Sequence, residues 1–191
     1  MNDASEHTLA DGSRLVHDPT PVPSTTAVAV PRRLEVWLPI LIVALDQLTK
    51  ASVRALLPHY SSVVVVPGFL NFTHVRNTGA AFGILNFTDF PFKTVVIAVI
   101  AAAALIGVGL YAASLAHHQR VARLGLALII GGAAGNLIDR VIEGSVVDFV
   151  DVYWRTHHFW AFNVADSAIS IGVAIMILDM LGTSTHVSTS A

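Results

Sequence analysis

Apolar residues gather in four runs along the chain, about Val36 to Leu57, Phe92 to Ala113, Val121 to Ile138 and Trp160 to Leu181. A helix that crosses a bilayer needs roughly 20 mostly apolar residues, so the pattern predicts four spans. The second run is the plainest, with Val95 to Leu110 free of charge. The third carries Gly131 and Gly135 four apart, a spacing that lets another helix come close. The connections differ from the spans in period. Ser61 to Arg76 (SSVVVVPGFLNFTHVR) is β-branched and aromatic and is broken at Pro67-Gly68, which predicts strand, turn, strand. Glu143 to Tyr153 reads as a turn and then a strand, and Leu85 to Phe92 as an interfacial segment. The expected fold is an all-α membrane protein: four transmembrane helices with a small extracytoplasmic β-sheet cradle on their outer ends.

Composition agrees with the pattern. Of 191 residues, 54% are hydrophobic and only 13% charged, against roughly 25% charged in a soluble domain. The absence of cysteine excludes disulfides, thiol catalysis and cysteine metal sites. A formal net charge of −2 gives no sign of nucleic-acid binding. Residues 1–33 are expected to be a disordered cytoplasmic tail, since Met1 to Val30 is polar and holds Arg14 as its only Lys or Arg. Residues 34–182 form the expected membrane domain, and residues 183–191 a second disordered tail. Arg32 and Arg33 flank the first span, and Arg120 and Arg123 lie between the second and third. Those clusters favour a cytoplasmic position for both termini, although Arg76, Lys93, Arg140 and Arg155 sit in or beside the opposite loops.

The chemistry is concentrated in polar residues that the spans should not tolerate. Asp46, Lys50 and Arg54 are spaced by four and share one helix face. Exposing all three to lipid would cost roughly 8 to 10 kcal/mol, so that face should look into the bundle. Asp46 and Lys50 are then either a structural pair, with Arg54 snorkelling to the headgroups, or part of a site. Asn136 lies deep in the third run, and Asp139-Arg140 close its end, where the two could pair with each other. Asp148 shares a strand face with Val146 and Val150, whereas Asp151 falls on the other face and reads as a surface residue. Asn163 and Asp166 open the last run. Asp166 is either a helix cap or, because Phe159 to Phe162 suggest a helix already in the membrane, a functional acid.

Five segments together resemble one family. Asp46-Gln47-Leu48-Thr49-Lys50, the NTGAAFG stretch from Asn77 to Gly83, GNLIDR from Gly135 to Arg140, VVDF from Val146 to Phe149, and FNVADSAIS from Phe162 to Ser170 look like the ordered motifs of the lipoprotein signal peptidases, signal peptidase II. The resemblance runs from about Val36 to Leu181. It implies an aspartyl endopeptidase of the bacterial plasma membrane that removes the signal peptide from prolipoproteins just before the lipid-modified cysteine. It further implies Asp148 and Asp166 as the catalytic pair. Asn77, Asn136, Asp139, Arg140 and Asn163 would line and order the site, with Asp46 and Lys50 supporting it from the first helix. Partners would be prolipoprotein substrates and membrane lipids, the working form a monomer, and no cofactor or metal is expected.

Two neighbouring carboxylates suit this chemistry, because both cannot ionise easily and one proton is shared. Rival readings fare less well on the residues. No HExxH occurs, and His117-His118 and His157-His158 are adjacent rather than four apart. A Ser–Lys protease would have to use Lys50 or Lys93, and Lys50 has Asp46 one turn away. A proton channel or small transporter would favour broken central helices, whereas here most acids cluster beyond the ends of spans three and four.

Overall fold

The computed structural model describes residues 33–79, 92–116 and 118–184. Residues 1–32 and 185–191 of the two expected tails and most of the Leu85 to Phe92 segment lie outside the described residues, as do Ala80 to Gly83 of the NTGAAFG stretch; Arg33, Thr183 and Ser184, expected in the tails, are helical instead. The elements run α1 (Arg33–Leu56), β1 (Ser62–Val66), β2 (Leu70–Asn77), α2 (Lys93–Ser114), α3 (Arg120–Glu143), β3 (Val146–Trp154), β4 (His157–His158) and α4 (Val164–Ser184). All four helices are long and apolar enough to cross a membrane. Helix α3 is the hub and packs against each of the other three.

Small residues make that hub possible. A Cβ on Gly131 would meet Ile42 Cβ at 2.8 Å and the Pro39 backbone at 3.0 Å, and one on Gly132 would overlap the carbonyl oxygen of Ala165. Backbones can approach this closely only where a side chain is missing, which is how helices associate where lipid supplies no hydrophobic drive. The large apolar side chains point the other way. Leu41, Leu48, Val99, Ile100, Leu110 and Leu178 are all exposed on the protein surface, where lipid tails would surround them.

The four strands form one antiparallel sheet in the order β1-β2-β3-β4. Gly68, at φ 78°, makes the turn between β1 and β2, a backbone state that glycine enters without steric cost. Gly144, at φ 71°, ends α3 with its N–H bonded to Arg140 O, and the chain enters β3 two residues later. Beneath the sheet, Val53 from α1 packs with Val147 and Phe149 from β3, joined by Leu57, Val150 and Val164. This small apolar cluster seats the strands on the helix ends.

Two further boundaries differ from the sequence expectation. Helix α3 runs on to Glu143 rather than ending near Ile138, so Asp139 and Arg140 are helical and their side chains diverge. Helix α4 starts at Val164, not Trp160. The residues before it pair with the sheet through their backbone: Phe149 N–H and Val150 N–H both donate to Phe162 O, at 3.0 and 2.8 Å, and Phe159 N–H donates to Val152 O at 2.7 Å, while the Phe159 and Trp160 side chains stay exposed. Apolar character alone cannot distinguish a span from a segment packed on a sheet.

Candidate active site

Two aspartates are brought together by that Phe162 pairing. Asp148 stands on β3 at 3% exposure, and Asp166 lies in the first turn of α4, partly buried. The strand and the helix start are stitched to each other only a few residues from each acid. Asn163 completes the link. Its Nδ2 donates to Asp148 Oδ1 at 2.7 Å, while its backbone N–H donates to Asp166 Oδ2 at 3.3 Å. One residue therefore holds both carboxyl groups.

The other amides fill the remaining acceptor positions. Asn77, at the end of β2, donates from Nδ2 to Asp148 Oδ2 at 3.1 Å, and its own Oδ1 accepts from Gly79 N–H at 2.9 Å. Asn136 on α3 donates to Asp166 Oδ1 at 2.8 Å. Its oxygen accepts from Lys50 Nζ at 2.9 Å and from Asn163 Nδ2 at 3.2 Å. Arg140 reaches back to Asn136 O and across to Gly79 O, both at 3.1 Å, and so ties α3 to the segment after β2. Burial, reinforced by the nearby Asp166 carboxylate, pushes the Asp148 carboxyl up to about 7, although its bonds from Asn77 and Asn163 and the charge of Lys50 act in the opposite direction.

Beneath the pair lies a buried charge cluster. Asp46 and Lys50 are both fully buried and meet at 2.7 Å. Lys50 also reaches Asp139 Oδ2 at 2.8 Å, so one ammonium serves two carboxylates and an amide. Gln47 donates to Asp139 Oδ1 at 3.0 Å, and more distantly to Asp46 and to Gly135 O. Arg54 does not snorkel away: it binds Glu143 at 3.0 Å, and Glu143 in turn binds Arg76 at 2.7 Å. Every polar residue expected at the site thus lies in one connected network.

Two sequence expectations need correction. Asp139 and Arg140 do not pair with each other, because consecutive helical residues point in different directions. Asp151 is not a surface residue. It is 8% exposed, accepts from Asn71 Nδ2 at 3.1 Å and faces His158 Nδ1 at 2.9 Å, because strands flank β3 on both sides. Asp166 does cap its helix: Asn163 Oδ1 accepts from Asp166 N–H at 2.9 Å while Asp166 Oδ2 takes the Asn163 N–H, a reciprocal capping box. The capping and functional readings of Asp166 are compatible. Gln47 and Glu143 went unassigned. Glu143 stands four residues after Asp139, a spacing that would have marked it had the helix been drawn to its true end.

The family model described as signal peptidase (SPase) II matches residues 38–182. A lipoprotein signal peptidase of Geobacter metallireducens is 47% identical over 137 residues, covering 72% of this chain and 83% of that protein. One of Pseudomonas putida is 38% identical over 164 residues, covering 83% and 93%. Among solved structures, a bacterial membrane enzyme determined in meso at 2.3 Å superposes with a TM-score of 0.74 at 31% identity, covering 84% of this chain and 94% of that one. Four spans, a sheet on their ends and a carboxylate pair held by amides thus come with a family match over most of the chain, which belongs to the signal peptidase II family, the aspartic peptidases that process lipoproteins.

Proposed function

We propose that Asp148 and Asp166 are the catalytic pair of this peptidase and that Asp148 carries the shared proton. The observation that carries the reading is the double grip of Asn163, which holds one oxygen of each acid. Both oxygens of each acid accept from N–H donors, Asn136 Nδ2 and Asn163 N at Asp166 and Asn163 Nδ2 and Asn77 Nδ2 at Asp148, so the roles are divided by burial: Asp148 is the more deeply buried acid and Asp166 the more exposed one, which suits ionisation of Asp166. Asp148, raised to about 7 by burial and by its neighbour, suits the protonated role. In the reaction, Asp166 takes a proton from the attacking water. Asp148 donates to the scissile carbonyl oxygen, giving a gem-diol; as the C–N bond breaks, the proton gained by Asp166 goes to the departing amine and a diol hydroxyl returns its proton to Asp148. A balanced hydrolysis results, with no covalent enzyme intermediate.

The substrate is a diacylglyceryl-modified prolipoprotein, cut just before the lipidated cysteine, whose signal helix enters sideways from the bilayer. Arg140 and Asn77, beside the pair and at the mouth of the segment after β2, hold the substrate backbone. One chain supplies both acids and all three amides, which supports a monomer as the working unit. The chain sits in the bacterial plasma membrane with both termini cytoplasmic and the sheet-bearing end outside. The test is cleavage of a diacylated prolipoprotein peptide by detergent-purified protein. Asp148→Asn and Asp166→Asn should each abolish it while the protein still folds and inserts, and near-normal turnover in either would sink the assignment.

A further inference from the structure

Asp166 keeps its position only if the first turn of α4 keeps its own, and a helix start leaves its leading N–H groups without partners inside the helix. Asn163 satisfies the N–H of Asp166, the third residue of the helix. The N–H of Ala165, the second, has a different partner: it donates to Asp46 Oδ1 at 3.0 Å, across 119 positions of sequence. Ala165 and Asp46 are both fully buried, so water cannot take the place of that bond. The other oxygen of Asp46 is held by Lys50 Nζ at 2.7 Å and Gln47 Nε2 at 3.2 Å.

We infer that Asp46 caps α4 from α1 and is thereby a positioning residue for Asp166, with Lys50 holding the cap and the Asn136 amide together. The inference rests on Asp166 being one of the catalytic pair. Two bonds from outside the turn set the position of Asp166, one on its carboxylate from Asn136 and one on the neighbouring Ala165 N–H, and both lead back to the same ammonium. Lys50 grips Asp46, whose free oxygen pins the Ala165 N–H. It also donates to Asn136 Oδ1, which obliges the Asn136 amide to present its N–H side to Asp166 Oδ1. A carboxylate near a helix N-terminus also interacts favourably with the helix dipole. Gly135 is part of the device, since a Cβ there would come within 2.6 Å of Asp46 Oδ2. The other charged groups around the cluster are Asp139 and Arg140 on α3, Arg54 on α1 and Asp148 on β3.

The test compares Asp46→Asn with Asp46→Ala, using kcat and KM per folded molecule on a diacylated prolipoprotein peptide. Asparagine keeps an oxygen for the Ala165 N–H, whereas alanine keeps none. Asp46→Ala should lose at least about tenfold in kcat with KM within about threefold, and Asp46→Asn should recover kcat to within about threefold of the parent. Parental kcat in folded Asp46→Ala overturns the inference, as does equal loss in both variants, which would assign the effect to charge. Gly135→Ala provides a second variant that retains every charge while displacing the Asp46 carboxylate, and it should reproduce the kcat loss. Parental kcat there also overturns the proposal. Amide exchange at Ala165 needs no variant: strong protection is expected, and rapid exchange refutes the cap. Near-normal turnover in Asp166→Asn would sink the catalytic pair instead and leave the cap standing.

Discussion

Helices α1 and α2 both span far enough to cross a bilayer, yet α1 carries buried charges in mid-span whereas α2 has its one charged residue, Lys93, at its first position. Helix α1 buries Asp46 and Lys50 completely and turns Leu41, Leu45 and Leu48 outward. Helix α2 has only Lys93 and Ile97 buried, both in its first turns, and a Cβ on Gly107 or Gly109 would meet nothing within 4 Å. In a water-soluble protein, burial follows apolarity. Here the most buried residues of α1 are ionic, because the surrounding solvent is itself apolar and only the protein interior can satisfy a charge. Charged residues are thus the interior marker in a span, and a stretch without them, as α2 beyond its first turns, is a wall facing lipid.

That contrast is broken most directly at the pair itself. Asp148→Asn and Asp166→Asn should each cut kcat by about a thousandfold or more, ~4 kcal/mol of barrier, and the double variant should be no worse than the singles because the acids act as one unit. Losses that multiply in single-turnover cleavage would show two independent contributions.

The next effect is on pH. Asp148 has its carboxyl raised to about 7, so it holds its proton below that pH and releases it above. An acid role needs the proton, so kcat/KM should fall about tenfold per pH unit on the alkaline side of about 7. A rate that instead rises through this range would exchange the roles of the two aspartates. Arg140→Ala belongs to the same polar interior. It should raise KM more than it lowers kcat, since the guanidinium grips backbone carbonyls beside the pair rather than the acids themselves.

Glycines sharpen the comparison between packed and bare helices. Gly132→Ala would drive a methyl into the Ala165 carbonyl and the Ile169 side chain, and it should destabilise the bundle by about 2 kcal/mol. Gly107→Ala meets open space on α2 and should be neutral within about 0.5 kcal/mol. Thermal unfolding in one detergent compares the two, and similar midpoints would mean that α2 is packed against something in the membrane. The smallest effect is expected at Asp151→Asn, which keeps an acceptor for Asn71 but weakens the His158 contact. Stability should drop by about 1 kcal/mol while kcat stays within about threefold.

Much of the architecture was legible because it depends on local pattern. Apolar runs of span length, the Pro67-Gly68 break and the four-residue spacing of Asp46, Lys50 and Arg54 each reveal an element or a face without reference to the rest of the chain. The same patterns mislead at their edges. Phe159 to Phe162 reads as the head of a span because its pairing with β3 is made by backbone groups, which side-chain apolarity does not report. Asp151 looked like a surface acid because strand alternation says nothing about a flanking strand.

By itself, the sequence determined the number of spans, the strand pair, the polar face of α1 and, through five ordered motifs, the family with its candidate acids. The rest was decided by tertiary structure: that Asn163 grips both Asp148 and Asp166, that Lys50 serves Asp46, Asp139 and Asn136 at once, and that Asp46 caps a helix 119 positions away. Periodicity assigns a residue to a face, and the hydrophobic pattern assigns that face to the interior. Which buried donor meets which buried acceptor depends on helix register and on approaches permitted by missing side chains, as at Gly132 and Gly135. Those are properties of pairs of elements, and no single stretch of sequence contains them.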